Sequence, residues 1–155
     1  MATSLEFIVD DTVVKQKLNA AFQAISDFSE PLNDIGDELI ESVSGEVFDS
    51  EGAATGDKWR ALKLSTLQAR AHRVGYYANP PIATGKILTW TGRLRNSFKK
   101  HVSPWELTID NPVPYFRYHQ KRGGSPPQRR MLILNAKNIT KIRTALNDYL
   151  VSKIA

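Results

Sequence analysis

Three histidines, His72, His101 and His119, are the side chains in this sequence best suited to proton transfer or metal ligation near neutral pH. They stand far apart, and none falls in a metal-ligand spacing such as two histidines flanking a glutamate one helical turn apart. The chain has no cysteine, which removes disulfides, thiolate zinc sites and cysteine nucleophiles together. Beyond Asp57 the carboxylates are Glu106, Asp110 and Asp148, which leaves few partners for acid–base pairs or magnesium in that part of the chain. Ser65, Ser97 and Ser125 lack the glycine-flanked setting of a nucleophile elbow. Gly52, Gly56 and the Gly123-Gly124 pair do not complete a phosphate-binding loop, because no strand-to-helix lysine motif follows them. His119-Gln120 after Tyr115 hints at a nuclease, but a histidine that fixes a local turn by hydrogen bonding is the stronger reading. No residue set argues for catalysis, a cofactor or a metal.

Positioning such residues would fall to a chain of 155 residues, 41% hydrophobic and 24% charged, the size of one domain. It has no run of the roughly 18 apolar residues a membrane span needs, and Met1 to Asp11 carries acids where a secretory signal has a basic region. A soluble chain without membrane contact is the expectation. Its formal charge of +5 hides a division at Asp57. Residues 1–57 hold 13 acids against Lys15 and Lys17, a net of −11, while residues 58–155 hold 19 Lys and Arg against three acids, a net of +16. The halves could neutralise each other within one fold, attract neighbouring copies head to tail, or leave the basic half to face nucleic acid.

The elements follow from periodicity and breakers. Ser4 to Val9 suits a short strand. From Thr12, Val13, Val14, Leu18, Ala21, Phe22, Ile25 and Phe28 recur at helical spacing. After Pro31 a second helix carries Leu32, Ile35, Leu39, Ile40, Val43, Val47 and Phe48 on one stripe and Asp34, Asp37, Glu38, Glu41 and Glu46 on the other face. Asp49–Asp57 reads as a Gly-rich loop. Leu64–Arg73 reads as a helix capped by Ser65 or Thr66, and residues 74–86 as a long loop. Leu88–Asn96 reads as a turn or short helix with Thr89 or Thr91 as cap. Ser97–Val102 and Trp105–Asp110 form a hairpin around Ser103-Pro104. Pro112 and Pro114 stop the sheet. Tyr115–Gln120 is a helical turn, Lys121–Arg130 a basic loop, Met131–Leu134 a short buried strand, and Ile139–Ile154 a last amphipathic helix. The expected class is α+β: amphipathic helices packed around a small antiparallel sheet, with long functional loops, in a single domain over 1–155.

Several short motifs occur in order. Phe48, Gly52, Gly56, Trp59, Leu62, Ser65-Thr66-Leu67 and Arg70 form the first. Ile87-Leu88 with Thr91-Gly92-Arg93-Leu94-Arg95 and Ser97 form the second. Then come Asn111, Val113-Pro114-Tyr115 and His119-Gln120, a Gly-Gly step, and Arg129-Arg130-Met131-Leu132-Ile133-Leu134. Each is weak alone, but the ordered set resembles the phage virion morphogenesis, or tail completion, family of Mu-like and related tailed phages. Lys121-Arg122 depart from the neutral step usual there, and Arg130-Met131-Leu132 stand where Arg-Pro-Phe-Leu is customary.

The resemblance implies a non-enzymatic virion protein of the neck or upper tail that completes the tail and enables head–tail joining. Copies would close into a ring, a hexamer by analogy with tail-tube symmetry, between the tail tube or its terminator and the head connector or neck proteins. Trp59 is expected to anchor the Gly-rich loop to the body, with an interface role as the alternative. Arg93 and Arg95 are the first choice to pair with Asp34, Asp37, Glu38 and Glu41 of an adjacent copy. Lys121, Arg122, Arg129 and Arg130 would meet an acidic partner or line a channel for DNA. A DNA-binding module using the basic half is the alternative function, and a virion nuclease or peptidoglycan hydrolase the third.

Overall fold

A computed structural model describes residues 12–72, 85–121 and 127–154. The strand at Ser4–Val9, most of the loop at 74–86, the Gly-Gly step and Arg122 lie outside the described residues. The elements are α1 (Thr12–Ser26), α2 (Ser29–Ser42), α3 (Leu64–Ala71), β1 (Lys99–Ser103), β2 (Glu106–Asp110), α4 (Phe116–Gln120) and α5 (Ala136–Ile154). This is the expected α+β class.

Pro31 sits in the first turn of α2, where a missing N–H costs no helical bond. The helix does not stop at Ser42 but runs into a π turn, Val43–Val47. That turn lets Val43, Val47 and Phe48 all face inward. α3 starts at Leu64 after Lys63, with no side-chain cap from Ser65 or Thr66. Thr91 Oγ1 instead accepts from Arg93 N at 3.3 Å and shapes a turn, not a helix. β1 and β2 pair antiparallel, with Ser103 opposite Glu106. The hairpin turn is therefore Pro104-Trp105, one residue later than expected. Trp105 tilts against Phe28, with ring centroids 5.5 Å apart, and Phe28 N donates to Pro104 O at 2.9 Å. Phe28 also meets Tyr149 of α5, so the α1–α2 corner is tied to both the hairpin and the last helix.

α2 covers the hairpin and lies against α5, which also carries α1. The core joins Val43, Val47, Phe48, Trp59, Ile87, Leu94, Phe98, Val113 and Met131. Almost every one of these is a motif residue or its immediate neighbour. The segment Met131–Leu134 enters the core without becoming a strand. Its backbone groups bond to the Gln120 side chain rather than to a neighbouring strand: Met131 N donates to Gln120 Oε1 at 2.6 Å and Gln120 Nε2 donates to Leu132 O at 3.4 Å. Short apolar runs carry no information about which donor will satisfy them.

Candidate functional site

The first motif folds into a tight knot. Gly52 has φ +85°, a left-handed conformation open to glycine, and its N–H donates to Val47 O at 2.8 Å. Trp59 N donates to Glu51 O at 2.8 Å, which lays the indole directly over the Gly52 Cα, where a Cβ would collide with the ring and with Asp57 O. Phe48 meets the same indole edge-on with centroids 5.3 Å apart. The spacing of Phe48, Gly52 and Trp59 is thus a packing requirement. Glu51, also left-handed, accepts from Ile87 N at 3.0 Å and fastens the second motif to the first.

The last motif is strapped onto this knot. Trp59 Nε1 donates to Arg130 O at 2.8 Å, and Arg129 donates twice to Arg60 O at 3.2 and 3.0 Å. Arg129 N donates to His119 O at 2.9 Å, so the α4 end holds the other side of the strap. Asn111 closes the middle: its Nδ2 donates to Leu94 O at 2.8 Å, and its Oδ1 accepts from Val113 N at 3.1 Å. Gly92, at φ +70°, makes the turn that turns Leu94 inward, where it is 2% exposed.

His119 is buried between these segments. Burial, then the Arg129 charge, hold its imidazole below the ordinary value, against a bond to the Pro127 carbonyl that raises it. Its Nδ1 has no hydrogen-bond partner among the described residues, so a second proton there would have nothing to bond. A histidine that resists protonation in the folded state confers stability that is complete above its unfolded value of about 6.5 and declines as pH falls from there toward the folded value. Denaturant titrations of wild type and His119→Gln should therefore show a decline below about pH 6.5 that is shallower in the variant. An equal decline in both would remove His119 as its source.

Among the described residues, seven ion pairs cross the Asp57 division: Lys86 and Arg95 to Asp49, Lys100 to Asp37, Arg130 to Asp57, Lys137 to Glu46, Lys141 to Glu38 and Lys153 to Glu30. The Lys86 and Arg95 bonds hold the Asp49 carboxyl below the usual carboxylate range. The Glu38 bond raises Lys141. All these pairs have at least one exposed partner, so each contributes little to stability. Their joint effect is to satisfy acid with base inside one molecule.

That geometry redistributes the expected interface residues. Trp59, 4% exposed, and Arg129, 6% exposed, are interior and present no contact surface. Packing and backbone carbonyls, not surface charge, account for the burial of both. Arg95, Arg130, Asp37 and Glu38 are engaged within the chain. Arg93, Lys121, Asp34 and Glu41 are exposed and make no ion pair among the described residues.

The motif residues thus converge on one interlocked scaffold, in the order the sequence carries them. The family model for phage virion morphogenesis proteins matches residues 9–151. The chain belongs to the phage virion morphogenesis family. No curated protein and no solved structure matches it. Membership makes it a phage protein of virion assembly, and the family is one of structural and assembly proteins. Among the described residues no group of three His, Asp or Glu could hold a metal ion, and no helix is long and apolar enough to cross a membrane.

Sequence reasoning missed three residues that organise this family member: Glu51, Asn111 as a buried bridge, and Gln120 as the clamp on Met131. Asn111 and Gln120 stand within quoted motifs, and a polar residue kept inside an otherwise apolar motif is the signal that could have marked them.

Proposed function

We propose that this protein is a structural component of the phage neck or upper tail, that its copies close into a ring, and that the ring completes the tail tube and makes it competent to join the head. The observation that supports this reading is the use of the motif residues. They build a rigid interlocked body rather than a cleft with convergent acid–base groups, and a rigid body with outward-facing loops and helices suits assembly. Its partners are then further copies of itself, the tail tube or its terminator, and the head connector or neck proteins, with no catalysis required.

The test is joining in extracts. Tails assembled without this protein should fail to join heads, and adding the purified chain should restore infectious particles and leave it at the head-proximal end of the tail in electron micrographs. Equal joining with and without the protein would refute the proposal.

A second reading draws on exposed cations without ion pairs among the described residues, Lys58, Arg60, Lys63, Arg93 and Lys121. These would contact DNA, in the lumen of a ring or as a separate binding module. Phosphate contacts predict retention on duplex DNA that falls steeply with salt, with a slope reduced by removing Lys58, Arg60 and Lys63. Absence of retardation at low salt eliminates it.

A further inference from the structure

Beside the exposed charges that make no ion pair among the described residues, the chain presents apolar surface that its own packing leaves uncovered. Val14, Leu18, Phe22 and Ile25 fall on one stripe of α1 and are 58, 63, 64 and 45% exposed. α1 lies against α5 of its own chain, yet these four side chains keep about half or more of their surface exposed. Single exposed apolar residues are ordinary, but four in a row form a ridge of the kind that marks an interaction site.

The same chain carries a matching hollow. α2, β2, residues 132–134 and α5 enclose an open groove of about 400 Å³, lined by residues that include Leu32, Leu39, Leu107, Leu134 and Ile142. A cavity of about 150 Å³ takes a benzene ring, so this groove has room for Leu18 and Phe22 together. Charge agrees with shape. Lys15 and Lys17 flank the α1 stripe on its two sides. Glu38, Glu41 and Glu46 border the cleft adjoining the groove, and Lys17 and Glu41 have no ion pair among the described residues.

We propose that the α1 ridge of one copy docks into the α2–β2–α5 groove of a second copy. Ridge and groove are different patches, so the contact is head to tail, and repeated it closes a ring or runs on as a filament. This deepens the ring proposed above and rests on it only in taking a second copy as the occupant.

The full chain is studied by analytical ultracentrifugation over a concentration series. Wild type should associate beyond a dimer. Leu18→Glu/Phe22→Glu and Leu134→Arg should each weaken association at least about tenfold. Both sites are exposed, Leu134 being 60% so, and circular dichroism and melting should not change. Mixing the two variants should give dimers and nothing larger, because the sound ridge of one meets the sound groove of the other and both remaining faces are blocked.

Association unaffected by either variant, a mixture that stays monomeric, or a wild type that is monomeric throughout would overturn the contact. If wild type is monomeric but Leu18→Glu/Phe22→Glu abolishes binding to tails, the occupant is a tail protein, and the second-copy proposal fails while the neck reading stands. If the chain associates through α1 but never engages tails, the contact stands and the neck reading fails.

Discussion

Replacing Gly52 with alanine is expected to destabilise the protein by about 2–4 kcal/mol, the sum of a left-handed backbone penalty of roughly 1 kcal/mol and an overpacking penalty of roughly 1–3 kcal/mol. The second arises because the new Cβ would meet the Asp57 carbonyl oxygen and the Trp59 indole. Neither neighbour can move cheaply, since one is backbone and the other is packed against Phe48 and bonded to Arg130 O. The same loop supplies the control. Gly56 is also left-handed, at φ +78°, but a Cβ there has nothing within 4 Å. Gly56→Ala should therefore cost only the backbone penalty, about 1 kcal/mol. Urea denaturation of both variants measures the difference, and equal losses would show that the indole does not crowd Gly52.

Trp59→Ala is expected to cost about 3–5 kcal/mol, the range for emptying a buried aromatic site. It also leaves the Arg130 carbonyl without its indole donor. Against a typical total of about 5–15 kcal/mol, this leaves a marginal fold. The loss should appear in the isolated chain at any concentration, followed by far-ultraviolet circular dichroism. An interface tryptophan would behave otherwise, leaving monomer stability intact and lowering association alone. Trp59→Phe retains most of the volume and should cost about 1–2 kcal/mol, chiefly the hydrogen bond and a small cavity. Because Gly52 and Trp59 touch, their effects should not add: Gly52→Ala/Trp59→Ala should lose less than the sum, since removing the ring relieves part of the clash.

Both predictions concern a motif whose meaning changed between sequence and structure. Phe48, Gly52, Gly56 and Trp59 identify a family through their order and spacing, which are properties of the chain as written. Their spacing has a physical cause, the seating of one indole over one glycine, that no periodicity expresses. Asn111 and Gln120 show the same gap. As letters they are polar residues in loops and short helices. In the fold Asn111 bridges the Leu94 carbonyl and the Val113 N–H, and the Gln120 side chain takes the Met131 and Leu132 backbone groups, so Met131–Leu134 is not the strand its composition suggested.

The charge division illustrates the complementary limit. The counts of −11 and +16 are exact from the sequence, and they allowed pairing within a chain or between chains. Within the chain, Arg95 reaches Asp49 at 3.0 Å across 46 residues of sequence. Part of the surface expected to recruit a neighbour by charge is engaged within the chain, while Arg93, Asp34 and Glu41 stay exposed, and the apolar ridge of α1 and the groove beside α2 stand beside them.

By itself the sequence determined most of the local elements and the family. Helical periodicity, the alternating hairpin and the two prolines after it are short-range signals, governed by backbone sterics and by which face of an element is apolar. Only the tertiary structure decided which residues are interior. Trp59 bonds to Arg130 71 residues away, and Arg129 to Arg60 69 residues away. Burial and pairing at such separations depend on where the whole chain has placed its segments, so the same arginine letter reads as surface charge at Arg93 and as an internal strap at Arg129.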